Sequence, residues 1–92
     1  MNILVTDGEN RSSLAVTRSL GRKGYKVVVS GERSRTLASA SKFCMRGEAV
    51  PDPLTEGRDY VEAILRIVRE LEIEVIIPTT EASIYQLNPF RH

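Results

Sequence analysis

Short apolar runs alternate along this chain with longer stretches whose apolar residues recur at helical spacing. Met1 to Thr6, built on Ile3-Leu4-Val5, is a compact apolar run suited to a strand buried on both faces of a parallel sheet. A helix follows, capped by Ser12 or Ser13 and running to about Arg22. Its apolar positions are Leu14, Ala15, Val16 and Leu20, which leaves Arg18, Arg22 and Lys23 for solvent and for the negative end of the dipole. Gly24 stops this helix, because glycine accepts the left-handed conformation just past a helix end. Lys26-Val27-Val28-Val29-Ser30 is a second strand, short and β-branched. The three elements make a strand–helix–strand unit of about 30 residues, whose crossover is expected to be right-handed.

Beyond Gly31 the signal weakens. The stretch ERSRTLASASKFC offers only Leu37, Ala38 and Ala40 before Phe43, and predicts a weak helix of one or two turns. A short third strand is expected near Glu48-Ala49-Val50, broken by Pro51-Asp52-Pro53. A second long helix runs from about Gly57 to Leu71, with Tyr60, Val61, Ile64, Leu65, Val68 and Leu71 as its apolar stripe. Glu62–Arg66 and Arg66–Glu70 stand four residues apart on its wet face. Glu74 to Ile77 is a fourth strand ended by Pro78, and a third helix begins at Glu81 and reaches about Asn88. The alternation predicts one α/β domain of three layers, α/β/α, with a short parallel sheet in the Rossmann-like order 3-2-1-4.

Size and charge narrow the picture. Ninety-two residues allow a single small domain with a modest core. Thirteen Lys and Arg face twelve Asp and Glu, a net charge of +1, with both signs interspersed. There is no basic block and no stacking platform, so nucleic acid is not expected as a partner. No run approaches the roughly 20 apolar residues that span a bilayer, and the N-terminus enters a strand at once, so no membrane partner is expected either. A soluble, cytoplasmic domain is the expectation. The single Cys44 excludes an internal disulfide framework, and with one histidine it gives no metal constellation. Cys44 reads as a small, half-buried residue, and His92 as a disordered end or a remnant of cloning.

In a 3-2-1-4 sheet the strand order reverses between strands 1 and 4, and ligands bind outside the carboxyl ends of the strands at that point. Two polar segments then face each other: Asp7 to Ser13, and Thr79-Thr80-Glu81. The candidate substrate-binding residues are Asp7, Gly8, Arg11, Ser12, Thr79, Thr80 and Glu81; no residue is assigned to catalysis, to a cofactor or to a metal. Asp7 and Glu81 can orient an amine or ammonium, or can serve an Asx turn and a helix first turn. Arg11 can grip a carboxylate or phosphate, or be a solvated residue paired with Glu9. Ser12 and Ser13 suit capping, with neighbouring N–H groups open to an anion. Thr79 and Thr80 either meet a substrate or satisfy the backbone where the strand ends. Ser34, Arg35 and Ser39 are candidates for contact with a neighbouring domain. A dinucleotide fingerprint needs three glycines here, and Gly8 stands alone; Glu32, after strand 2, is the only feature that favours NAD. No lysine follows as a P-loop requires.

The ordered set ILVTDGENRSSLAVTRSLGRKGYKVVVSG, SRTLASASKF, VPDP and EVIIPTTEASI resembles the N-terminal domain that precedes an ATP-grasp fold. The resemblance covers essentially the whole chain, and is nearest to ligases related to the carbamoyl phosphate synthetase large subunit, biotin carboxylase and D-alanine ligase. It implies the substrate-side domain of an ATP-dependent carboxylate–amine ligase acting through an acylphosphate, not catalytic by itself. ATP and magnesium are then expected for the full-length parent and no cofactor for this chain, since the domains that grip them lie elsewhere. Implied partners are a small carboxylate or amine substrate and those further ATP-grasp domains. Family sheets tend to have a fifth strand after the helix that starts at Glu81, so residues 1–92 are expected to be a truncated piece of a longer enzyme. The uncovered edge of strand 4 would then favour self-association. Two alternatives stand beside this reading. One is an NAD(P)-binding fragment of a reductase or epimerase using Glu32. The other is a non-catalytic α/β interaction module, receiver-like in Asp7, Glu9 and Asp52.

Overall fold

Why two strands of this protein are almost wholly aliphatic follows from where they lie. The computed structural model describes residues 1–90; His92, read above as a disordered end, lies outside the described residues. Strands β1 (Asn2–Val5), β2 (Lys26–Gly31), β3 (Cys44–Ala49) and β4 (Val75–Ile77) form one parallel sheet in the order β3-β2-β1-β4. β1 and β2 are interior and covered on both faces, so Ile3, Leu4 and Val5 and Val27 to Val29 are all buried. Helix α1 (Arg11–Arg22) covers one face. Its Leu14, Val16 and Leu20 pack on Ile3, Val5, Val27 and Val29. Helices α2 (Gly57–Glu70) and α3 (Glu81–Leu87) cover the other, with Tyr60, Ile64, Ile67 and Leu87 against Leu4 and Val28. A single 3-10 turn, Asn88–Phe90, follows α3. The Rossmann-like three-layer arrangement is thus the one expected. Among the described residues no helix is long and apolar enough to cross a membrane.

The helix ends obey capping rules with two departures. Gly24 stands just past α1 at φ 91°, and the N–H groups of Gly24 and Tyr25 donate to the carbonyls of Gly21 and Leu20, closing the last turn. At the start of α1, neither Ser12 nor Ser13 is the cap. Asn10 occupies that position without a side-chain hydrogen bond, Ser12 is exposed, and Ser13 faces the sheet with an unpartnered hydroxyl. α1 therefore buries the small side chains of Ser13 and Thr17 most deeply, which lets the helix lie close to the sheet. At the end of α2, Glu72 takes the left-handed position, φ 53°, that glycine usually fills, and Ile73 N–H donates to Val68 C=O. Of the two ion pairs expected on α2, Arg66–Glu70 forms at 3.4 Å and Glu62–Arg66 does not.

β3 and the segment before it differ from the sequence expectation. The strand spans Cys44–Ala49 and begins earlier than Glu48-Ala49-Val50. No helix forms between Gly31 and Phe43. Ser39 and Thr36 exchange hydrogen bonds instead: Thr36 N–H donates to Ser39 Oγ at 2.6 Å and Ser39 N–H to Thr36 Oγ1 at 3.2 Å. Side-chain oxygens that capture backbone donors in this way compete with a helix ladder. Ala38 N–H is also taken by Gly8 C=O, which ties the loop down over the first turn. Gly47 lets the loop approach β3, since a Cβ there would collide with the Ser34 carbonyl oxygen.

Candidate functional site

The carboxyl edge of the sheet carries a buried hydrogen-bond hub and, above it, an acidic cleft. The hub is Asp7. It follows β1 in the left-handed region, φ 57°, which Asp tolerates better than most residues, and it is only 6% exposed. Its Oδ2 accepts from Thr6 Oγ1 at 2.5 Å and from Thr80 Oγ1 at 3.1 Å, while Oδ1 accepts from Ser83 Oγ at 3.0 Å. Ser83 Oγ in turn lies 2.8 Å from the Tyr60 hydroxyl. Because Ser83 donates to Asp7, Tyr60 is the donor to Ser83. Burial above all pushes the Tyr60 phenol up to about 12, so it holds its proton and this chain keeps its direction.

Local sequence explains each member. Thr80 is the N-cap of α3 and accepts from Ser83 N–H, so one hydroxyl caps the helix and anchors it to Asp7. Thr79 satisfies the end of the sheet: its N–H donates to Thr6 Oγ1 at 3.1 Å and its hydroxyl to Thr6 C=O at 3.0 Å. Gly8 is a packing glycine. A Cβ on it would meet Thr36 Oγ1 at 2.3 Å and Val29 Cγ1 at 2.6 Å, and its N–H is spent on Ser30 C=O.

The cleft has a volume of about 210 Å³. Asp7 and Thr80 form its floor, Tyr60 and Val50 one wall, and Glu9, Glu32 and Asp52 its rim. Four carboxylates line it, and among the described residues no Lys, Arg or His does. Glu9 Oε2 accepts from Glu32 N–H at 3.2 Å and lies over Gly31, where a Cβ would stand 2.7 Å from it. A carboxylate thus covers the end of β2, where a dinucleotide would place its ribose. Two backbone donors of the first turn are also engaged, Gly8 with Ser30 and Asn10 with Asp7. The volume lies below the roughly 300–1,000 Å³ usual for ligand pockets, so the cleft has room for a small group and not for a dinucleotide.

The expected site residues separate into two groups. Asp7, Thr79 and Thr80 come together at the reversal between β1 and β4, tied by the bonds above, while Gly8 is turned to β2 and the 36–41 loop, and neither it nor Thr79 lines the cleft. Arg11, Ser12 and Glu81 do not join them: all three are exposed and none lines the cleft. Arg11 makes no ion pair with Glu9, whose carboxylate is turned to Glu32. The cleft also includes residues that sequence reasoning did not assign to a substrate: Asn10, Asp52 and Tyr60. Tyr60 was legible only as the first apolar position of α2, and Asp52 only as part of a strand breaker and of the receiver-like alternative. Ser83 lay inside the helix expected from Glu81, but nothing local pointed it at Asp7. Cys44 is half-buried, and burial pushes its thiol up, away from a nucleophilic thiolate. Comparison with protein-family models, with curated protein sequences and with solved structures finds no match.

Proposed function

We propose that residues 1–92 form the N-terminal, substrate-side domain of an ATP-dependent carboxylate–amine ligase, not catalytic by itself, and that its carboxyl-edge cleft receives the amine-bearing substrate. The observation that carries this reading is the lining: four carboxylates and, among the described residues, no cationic side chain around a small cleft. An ammonium about 5 Å from one carboxylate gains roughly 3 kcal/mol at an effective dielectric near 20, and several carboxylates act together. Glu9, Glu32 and Asp52 would hold and orient such a nitrogen. A carboxylate that accepts its N–H is also placed to take the proton that the amine must lose before it can act as a nucleophile.

The cleft offers ATP no cationic side chain to meet its phosphates, and among the described residues no three Asp, Glu, His or Cys side chains gather to hold magnesium. The reading leaves both to further domains of a cytoplasmic parent enzyme. The same charge weighs against the NAD(P) alternative, whose pyrophosphate would enter the same field. The free edge of β4 suits the further polypeptide. It stands beside an apolar groove of about 430 Å³ lined by Leu65, Val68, Ile76 and Leu87, and Val75 and Ile84 are exposed nearby. Left uncovered, that edge favours self-association.

Calorimetric titration of the chain with small amines, with carboxylates of equal size and with magnesium ATP tests the proposal. Amines bind and the other two do not. Binding of ATP with no response to amines would overturn it.

A further inference from the structure

We infer that the outward face of α1 is a docking surface for an acidic helix of another protein. Arg11, Ala15, Arg18 and Arg22 stand at positions i, i+4, i+7 and i+11 of this helix, and all four are exposed. That spacing places them in one narrow stripe roughly 16 Å long. The charges are not evenly spread over the molecule: nine of the thirteen Lys and Arg lie between Arg11 and Arg46, against one of the twelve acids, Glu32. α1 itself contains no acid, and among the described residues its arginines take part in neither ion pair.

As a helix design the stripe is unfavourable. Arg11 sits in the first turn, where the dipole prefers an acid, and Arg18 and Arg22 repel each other across one turn. Arg22, in the last turn, is favoured by the dipole and rests over Phe43, so Arg11 and Arg18 are the charges the fold leaves uncompensated, and a partner is expected to supply the missing acid there. Ser12, Ala15 and Ser19 lie between the arginines, exposed and small, so a second helix can come close. Carboxylates on that helix at matching spacing would each meet one guanidinium, the geometry that Arg serves best. A nucleic acid or a membrane fits less well. Phe43 lies under Arg22 and Lys42 at 5.6 and 5.3 Å and is covered by them, and α1 itself carries no aromatic residue to stack on a base or enter lipid. This surface is independent of the acidic cleft.

The test uses the whole chain and a blocked helical peptide of about 16 residues carrying Glu at i, i+7 and i+11, read by fluorescence anisotropy at low salt. Replacing Arg18→Gln and Arg22→Gln together weakens binding about tenfold, and about 0.3 M salt does the same. Arg18→Glu with Arg22→Glu moves the preference to the same peptide carrying Lys, while Arg58→Gln with Arg66→Gln on α2 changes nothing. Equal affinity of wild type and the α1 variants would overturn the inference. So would tighter binding of single-stranded DNA or of phosphatidylserine vesicles than of the acidic peptide.

Discussion

Ser83 Oγ donates to Asp7 Oδ1 at 3.0 Å, across 76 positions of sequence, and both residues are buried. This bond joins the turn after β1 to the helix after β4, the two segments on either side of the strand reversal. With Thr80 and Tyr60 it makes the switch point a rigid polar clasp, so the floor of the cleft is set by the same bonds that dock α3.

Removing the hub should therefore cost more than a surface carboxylate does. Asp7→Ala strands the hydroxyls of Thr6, Thr80 and Ser83, and a loss of roughly 3 kcal/mol is expected, since hydrogen bonds to a charged acceptor are the stronger kind. Asp7→Asn keeps one acceptor oxygen and should lose about half of that. Urea unfolding of the two variants beside wild type measures both.

Tyr60 gives a pH signature whose sign is fixed. The phenol ionises near 10.0 when free and at about 12 when folded, with burial the leading cause. Its contribution is complete below pH 10 and is lost as pH rises through the folded value, because the unfolded chain releases the proton first. The stability of wild type minus that of Tyr60→Phe should thus fall by roughly 2–3 kcal/mol between pH 9 and 12. Taking the difference cancels Tyr25, Tyr85 and the lysines. A constant difference would contradict the buried donor role.

Gly8 is held by contact and not by an unusual φ. Gly8→Ala should destabilise by about 1–3 kcal/mol, the usual range for overpacking, because Val29 and Thr36 already occupy the space. Amide exchange should quicken in the 36–41 loop that hangs from the Gly8 carbonyl.

Glu72 is the converse case. At φ 53° and exposed, it occupies a helix-ending position that glycine fills without steric cost. Glu72→Gly should stabilise by roughly 0.5–1 kcal/mol in thermal unfolding, small but opposite in sign to most substitutions.

What the sequence disclosed depended on how local the signal was. β1, β2 and α2 were legible because Val27-Val28-Val29 and the Tyr60–Ile64–Val68 stripe state their burial in consecutive or periodic residues. β3 was not, because Cys44-Met45-Arg46-Gly47-Glu48-Ala49 is an edge strand whose pairing comes from β2 and whose glycine answers to the Ser34 carbonyl. The helix of one or two turns expected within 32–44 failed because the side chains of Thr36 and Ser39 take each other's backbone N–H groups. The site followed the same rule. The strand order brought Asp7 and Thr80 to one place, but the Tyr60–Ser83–Asp7 chain joins three elements and has no local pattern. The acidic cleft is likewise assembled from the ends of all four strands.

The most direct measurement is an NMR titration of the chain with a small diamine and with pyrophosphate, repeated on the variant Glu9→Gln, Glu32→Gln, Asp52→Asn. The account predicts that the diamine shifts the amides of Asn10, Glu32, Asp52 and Tyr60, that pyrophosphate leaves them unmoved, and that the variant loses the diamine response. Pyrophosphate shifting those amides in the wild-type chain, or a diamine response that survives in the variant, would contradict it.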